Sequence, residues 1–450
     1  MKLFRLGVLS AGIALTLPSV VLAQSLTQLY DMARNYDASY QSARSLYEAN
    51  RSKADQGLAQ LLPTVNMGLT STRSQVDFRG DVPAADGPAY KRWYLTNNAT
   101  ITAVQPLYRP ANMAVYLQAS KALGQAVAQL VAAEQDLMVR VSQAYFDVLA
   151  SQDSLEFVKA QKVAVAEQLA SAKRNFEVGT ATITDTREAQ VRYDLVLAQE
   201  IAAENDLRVK RLALDTLVGS KNATPRPLIK SVELKPDLPS DPETWVKDAS
   251  SNHPSILNAQ LALDIARLEI ERAKAGHKPT VDLQGTYAGT RNLGGTSISG
   301  SGSTNSHVVS PSMQILVNIP LFAGFATENR YKETVSLEDK ARHDLEAAER
   351  TVAQATRAAY FGVVSGVGQV KALEAAESSS QVALDANKLG YSVGVRINID
   401  VLNSQSQLFQ TKRDLAKARY DVLVGSLKLR QASGLLKEND LQGINALLEP

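Results

Sequence analysis

The chain has 450 residues, with 48 Lys and Arg against 46 Asp and Glu, four His and no Cys. That length holds two or three ordinary domains, and the near-neutral balance lacks the basic face of a nucleic-acid binder. The absence of Cys excludes disulfides, thiolate metal sites, cysteine nucleophiles and a lipid anchor on a cysteine behind a signal peptide.

Residues 1–23 are predicted to be that signal peptide. Lys2 and Arg5 supply a basic start, Leu6 to Leu22 is apolar, and Val21-Leu22-Ala23 offers small residues for cleavage. No later stretch approaches the roughly 20 apolar residues of a spanning helix. Residence in a membrane would therefore require β-strands.

Two alternating stretches come next. Val65, Met67 and Leu69 alternate with Thr64, Asn66, Gly68 and Thr70, and Leu95, Ala99, Ile101 and Ala103 stand opposite Thr96, Asn98, Thr100 and Thr102. Period-two patterning predicts strands with one apolar face, joined by a polar loop over Ser71–Tyr90. Trp93, Tyr94, Tyr108 and later Phe322 fall at strand ends, positions that suit equally a membrane-interface aromatic belt and packing where strands hand over to helices.

None of the 16 prolines falls between Ala111 and Thr224, or between Leu321 and Glu449. Proline breaks helix interiors, and both tracts are rich in good helix formers. The first predicts a helix over Ala111–Phe176, about 100 Å long, which belongs to coiled-coil packing. Val178-Gly179-Thr180 breaks it, and a second helix runs from about Thr184 to Val218. Strands return at Val281–Tyr287 and Met313–Ile319, around a Gly- and Ser-rich loop over Arg291–His307. Helices come after them at about Thr327–Gly390 and Asp400–Ser433, with a break at Val393-Gly394-Val395.

The two halves are one unit repeated. Ala144-Tyr145-Phe146 recurs as Ala359-Tyr360-Phe361, and the same offset of 215 pairs Val178-Gly179 with Val393-Gly394, Asp185 with Asp400 and Gly219 with Gly434. Upstream the offset is 216, pairing Pro63-Thr64-Val65 with Pro279-Thr280-Val281. The units span about 24–235 and 236–450, with strand pairs at about 64–106 and 280–320. Four strands cannot close a barrel, since the smallest need about eight, and open edges are not tolerated in lipid. Membrane strands here would require several chains to share one barrel.

The tip sequence Tyr391-Ser-Val-Gly-Val-Arg396 with Asp400-Val-Leu, its first-half counterpart Phe176-Glu-Val-Gly-Thr with Ile183-Thr184-Asp185, and the tandem repeat with its strand pairs resemble the TolC family of outer-membrane channel proteins. The resemblance covers nearly the whole chain after the signal peptide. It implies a mainly α fold with a transmembrane β-barrel: a homotrimer with a 12-stranded barrel, four strands per chain, continuous with a long α-helical barrel. A mixed equatorial belt, here about 220–245 plus the C-terminal tail, would surround the tunnel. It also implies an outer-membrane location spanning the periplasm, and export of proteins (type I secretion) or small toxic molecules. The partners would be a periplasmic adaptor and an inner-membrane ABC or proton-driven pump. The missing Cys fits the non-lipidated branch.

By the same resemblance, closure occurs at the helix tips. Thr184, Asp185, Tyr391 and Arg396 match the gate links, with Asp185 accepting from Arg396 and Tyr391. Asp400 matches the first of two acidic constriction rings, and Asn403 stands where the second Asp is expected. The single acidic ring should select cations less strongly, and be blocked less by multivalent cations, than two would. Gly179 and Gly394 suit tight turns with positive φ and would present the tips to the adaptor.

No enzyme is expected. The four His are scattered, with no HExxH, G-x-S-x-G or P-loop, and no metal, cofactor or nucleic acid is implied. The rival reading is a soluble periplasmic coiled-coil adaptor or scaffold. It explains the long helices but not four amphipathic strands in two matching pairs.

Overall fold

A computed structural model describes residues 23–79, 89–229, 241–294 and 305–449. Almost all of the expected signal peptide, and the middle of the expected belt segment, lie outside the described residues. The elements are α1 (Leu26–Tyr36), α2 (Ala38–Ala59), β1 (Thr64–Arg79), β2 (Ala89–Tyr108), α3 (Pro110–Glu177), α4 (Ile183–Val218), α5 (Pro242–Asn252), α6 (Pro254–Lys274), β3 (Thr280–Leu293), β4 (Ser306–Asn318), α7 (Ala326–Ser392), α8 (Asn398–Ala432) and α9 (Glu438–Asn445). The order ααββαα occurs twice, and α9 closes the chain.

The 68 residues of α3 span about 100 Å. Pro110 opens α3 at a position where its missing N–H costs nothing. A seven-residue spacing runs through the buried positions of α8, at Val401, Leu408, Leu415, Val422 and Leu429, and through those of α7, at Thr356, Val363, Val370 and, past the half-buried Glu377, Leu384. A seven-residue repeat keeps one seam facing a partner helix along its length. Accordingly α3 packs on α4 and α7 on α8. Exposed ion pairs such as Arg419–Glu374 at 2.9 Å lace these seams, but each contributes only about 0–1 kcal/mol. The apolar seam therefore carries the packing. Towards the strands α2 and α6 flank α3, and α6 also packs on α7. Among the described residues no helix is long and apolar enough to cross a membrane.

The strands form one antiparallel sheet in the order β1-β2-β3-β4. Its register puts Met67 opposite Ile101, Ile101 opposite Tyr287, and Gly285 opposite Met313. Val65, Leu69, Ile315 and Val317 fall on the same face, and all four are exposed. The other face carries Asn66, Thr100, Thr102, Thr286 and Gln314. One face is thus apolar towards solvent and the other polar, and the outer edges of β1 and β4 are both unpaired in the single chain.

The strands run beyond the predicted boundaries. Ser71–Arg79, expected in a loop, extend β1, and Ser71 donates to Asn97 across the pair at 2.7 Å. β2 has 20 residues, about twice what a tilted spanning strand needs. Beyond Thr70 the face that carried Val65, Met67 and Leu69 carries Ser71, Arg73, Gln75 and Asp77, so pairing continues while the apolar alternation that marks a strand disappears. Trp93 and Tyr108 are exposed at opposite ends of β2, and the Arg73 guanidinium sits 4.9 Å from the Trp93 ring centre.

The main core lies part-way along the long helices. Leu29 and Tyr30 of α1 pack with Leu137, Tyr145 and Phe146 of α3, Leu214 of α4, Leu427 of α8 and Leu441 of α9. Two isolated bridges, Gln24 with Pro225 and Leu228 with Leu448, tie the segment after α4 to the residues just before α1 and just after α9. This is the described part of the belt expected at 220–245 and the C-terminal tail. The repeat is not symmetric in packing: Phe146 is 1% exposed, while its counterpart Phe361 is 57% exposed.

Asp37 caps α2 through the Tyr40 amide at 2.8 Å and accepts both terminal nitrogens of Arg140, at 3.0 and 3.1 Å. The Arg140 bonds hold its carboxyl below the usual aspartate range against the cost of burial. Asn still caps helices, so Asp37→Asn isolates the ion pair and should cost about 1–3 kcal/mol near neutral pH. Because the folded value is lowered, the contribution is complete above about pH 5 and fades as pH falls through the folded value. Thermal melts of both proteins should therefore converge in acid. A gap that persists unchanged would rule out the ion pair as its source.

Candidate functional site at the helix tips

The α3–α4 and α7–α8 turns lie at the far ends of the long helices from the sheet, and they use one backbone solution. Gly179 and Gly394 have φ of 75° and 77°. The Gly179 amide donates to the Phe176 carbonyl at 3.0 Å and that of Gly394 to Tyr391 at 3.1 Å. Only glycine adopts this left-handed conformation without penalty. A Cβ at either position would meet nothing within 4 Å, so both tips are open to a partner.

The two tips differ in how the helix after the turn is capped. Thr182 caps α4 in a closed box: its hydroxyl accepts from the Asp185 amide at 3.2 Å, and an Asp185 oxygen accepts from the Thr182 amide at 3.0 Å and hydroxyl at 2.7 Å. Ile397 occupies the matching place before α8 and has no side-chain cap. The carboxylate of Asp400, counterpart of Asp185, instead lies 3.6 Å from Arg396 of the same tip. One repeat position thus serves two roles, decided by the residue three places before it.

The expected bonds from Asp185 to Arg396 and to Tyr391 are not made within the single chain. The Asp185 carboxylate is held by its own cap, Arg396 faces Asp400, and the Tyr391 hydroxyl accepts from Asn175 at 3.2 Å. Thr184 is exposed beside the cap. Gly390 makes room for Arg396, whose Cγ would stand 2.7 Å from a Cβ there.

Three contributors carry no signal in the sequence. Asn398, 1% exposed at the start of α8, accepts from Gln168 of α3 and donates to the Asp185 carbonyl at 3.4 Å, locking the two tips together. Asn175 holds Tyr391. Arg192 of α4 donates to the Asn403 side-chain oxygen at 2.7 Å. These pairs join residues more than 200 positions apart, and no local pattern marks them. The Thr182–Asp185 box was readable as T-x-x-D ahead of a helix.

Above the tips, Asp147, Asp206, Lys210, Arg413 and Lys417 line a 560 Å³ groove between α3, α4 and α8. Beside it Tyr420 donates to Asp153 at 2.7 Å, and burial raises the Asp153 carboxyl while that bond opposes the rise. Across the groove Lys210 pairs with Asp147 at 3.0 Å, Ser151 donates to Asp206 at 2.7 Å and Arg413 donates to Gln161 at 3.3 Å, contacts that read as packing.

A sheet apolar on one face, open at both edges and continuous with a long antiparallel coiled coil has the build of an outer-membrane channel chain. The chain belongs to the outer membrane efflux protein family, whose model, described as "Outer membrane efflux protein", matches residues 29–220 and again 245–435. It is 33% identical over 438 residues to the outer membrane protein TolC of Vibrio cholerae serotype O1, covering 96% of each chain. It is 31% identical over 439 residues to the alkaline protease secretion protein AprF of Pseudomonas aeruginosa, covering 94% of this chain and 87% of that one. Among solved structures, CusC aligns with a TM-score of 0.73 at 17% identity over 92% of both chains. The outer-membrane channel OprN aligns with a TM-score of 0.74 at 16% identity, over 91% of this chain and 89% of that one. The protein is an outer-membrane channel protein, and the soluble scaffold reading gains no support.

Proposed function

We propose that three copies of this chain close into one exit duct, which passes proteins or small toxic molecules from an inner-membrane pump to the outside. The observation that carries it is the four-stranded amphipathic sheet with two open edges. Three such sheets pair edge to edge into twelve strands, which satisfies every edge and turns the apolar face to lipid. The helices need the same neighbours: Leu195 and Ile201 of α4, and Phe361 and Val382 of α7, are large and exposed in the single chain.

In this reading the tips are the gate. Thr184, Asp185, Tyr391 and Arg396 tie each chain to its neighbours in the closed ring, while Asp400 and Asn403 line the constriction. Gly179 and Gly394 face a periplasmic adaptor, which brings an ABC or proton-driven pump. Exposed polar links contribute about 0–1 kcal/mol each. A ring of them holds the duct shut, yet yields to a partner that prefers the open form. The secretion named for AprF and the efflux named for the family support this export role.

The test is conductance of the detergent-purified protein in planar bilayers, with its native mass measured in parallel. A trimer with small, steady conductance is expected, and the double substitution Tyr391→Phe with Arg396→Ser should raise it several-fold. A trimer whose conductance ignores that substitution would overturn the gate assignment. A monomer that never inserts would overturn the shared barrel.

A further inference from the structure

We propose that Arg192 supplies a cationic ring beside the acidic ring of Asp400, so that the resting constriction admits small anions at least as readily as cations. The inference rests on the reading that Asp400 and Asn403 line the constriction of a trimer. It departs from the cation preference that a single acidic ring would give.

Asn403 lies three residues after Asp400 on α8, so the two share a face about one turn apart. The Asn403 side-chain oxygen receives the Arg192 guanidinium at 2.7 Å, in an exposed setting. A neutral amide holds Arg192 in place without cancelling its charge. An aspartate there would form an ion pair and neutralise it. Among the described residues Arg192 has no carboxylate partner within ion-pair distance. Glu188, one turn before it on the same helix, likewise has no cation within that distance.

The other nearby charges reinforce this balance. Asp400 lies 3.6 Å from Arg396, so its field is already half answered. The Asp185 carboxylate is turned to the N-terminus of α4, whose dipole offsets it. Arg187 and Glu188 are adjacent on α4 and cancel at a distance. Asp194, two residues after Arg192, accepts from Gln190 of the same helix at 2.9 Å, and Arg192 is the charge held directly against Asn403.

A unit charge several ångströms from a permeating ion in water changes that ion's local concentration about threefold. Three such charges, reduced by salt screening, amount to roughly tenfold in the ratio of cation to anion permeability.

The experiment is the reversal potential of single channels in a KCl gradient. Wild type should give a potassium-to-chloride permeability ratio near or below one. Arg192→Gln should raise it roughly tenfold, while Arg192→Lys should leave it near wild type, because charge and not the planar donor sets it. The chain has no Cys, so Arg192→Cys provides a single addressable thiol. Labelling it with a cationic thiosulfonate should restore the wild-type ratio, and an anionic one should move it further towards cations.

If Arg192→Gln and Arg192→Lys both alter conductance but not the ratio, Arg192 is a strut between α4 and α8 and the inference is overturned. Asp400→Asn separates this failure from that of the underlying reading. A shift towards anions with Asp400→Asn, and none with Arg192→Gln, defeats the cationic ring alone. No shift with either defeats both the ring and the placement of the constriction.

Discussion

Gly434→Ala should destabilise the chain by about 2–5 kcal/mol, while Gly219→Ala at the matching repeat position should cost only about 1–2 kcal/mol. Both glycines end a long helix in the left-handed conformation, with φ of 72° and 70°. The backbone penalty for a Cβ, about 1–2 kcal/mol, is therefore the same at each. Their surroundings differ. A Cβ on Gly434 would stand 2.7 Å from the backbone of Asn252 and His253, at the joint between α5 and α6. Backbone held in two helices cannot step aside, and overpacking of that kind adds about 1–3 kcal/mol. A Cβ on Gly219 would fall on the Tyr36 ring instead. Tyr36 is 60% exposed at the corresponding joint of α1 and α2, so its ring can swing into solvent. Melting temperature and yield of folded protein for the two variants, made side by side, give the ranking. Equal losses would show that backbone strain alone decides and that the close approach at Gly434 is relieved elsewhere.

That pair of glycines shows what the sequence made legible. Their match at an offset of 215 was visible without coordinates, and so were the four long helices. Proline-free tracts of good helix formers leave few alternatives, and the boundaries of α3, α4, α7 and α8 fall within two residues of those expected. The positive φ at Gly179 and Gly394 was legible for a similar reason, because a tight reversal between antiparallel helices needs it. The lipid-facing halves of the strands were legible through alternation. Their outer ends were not, because residues such as Ser71 and Asn97 pair where both faces are wet. At the tips, the roles of Asp185 and Asp400 diverge through Thr182 and Ile397, a local difference that the repeat alignment passes over. Arg192 and Asn403 meet only because α4 of one half packs beside α8 of the other, which no local pattern records.

Arg109→Met should be among the most damaging single substitutions in the chain, costing about 3–5 kcal/mol, and Asp282→Leu added to it should recover most of the loss. Arg109 stands between the end of β2 and the start of α3, where the sheet hands over to the helices. Its Nε and a terminal nitrogen donate to the two oxygens of Asp282 on β3, at 2.7 and 2.6 Å. Asp282 is only 4% exposed, so removing the arginine strands a buried carboxylate without a counter-charge. Replacing both partners with apolar side chains removes the penalty along with the attraction, which is why the double variant is milder than the single one. The repeat has no second copy of this pair: the counterpart of Arg109 is Ala323, and that of Asp282 is Asn66. The bond therefore joins the two halves of one chain. The defect should appear as less folded, membrane-inserted protein, while the protein that does insert keeps its native mass. Heat stability of the purified single and double variants checks the first claim, and native mass checks the second. A double variant as unstable as Arg109→Met would mean that the arginine acts through packing on α3, and that the buried carboxylate is not the source of the cost.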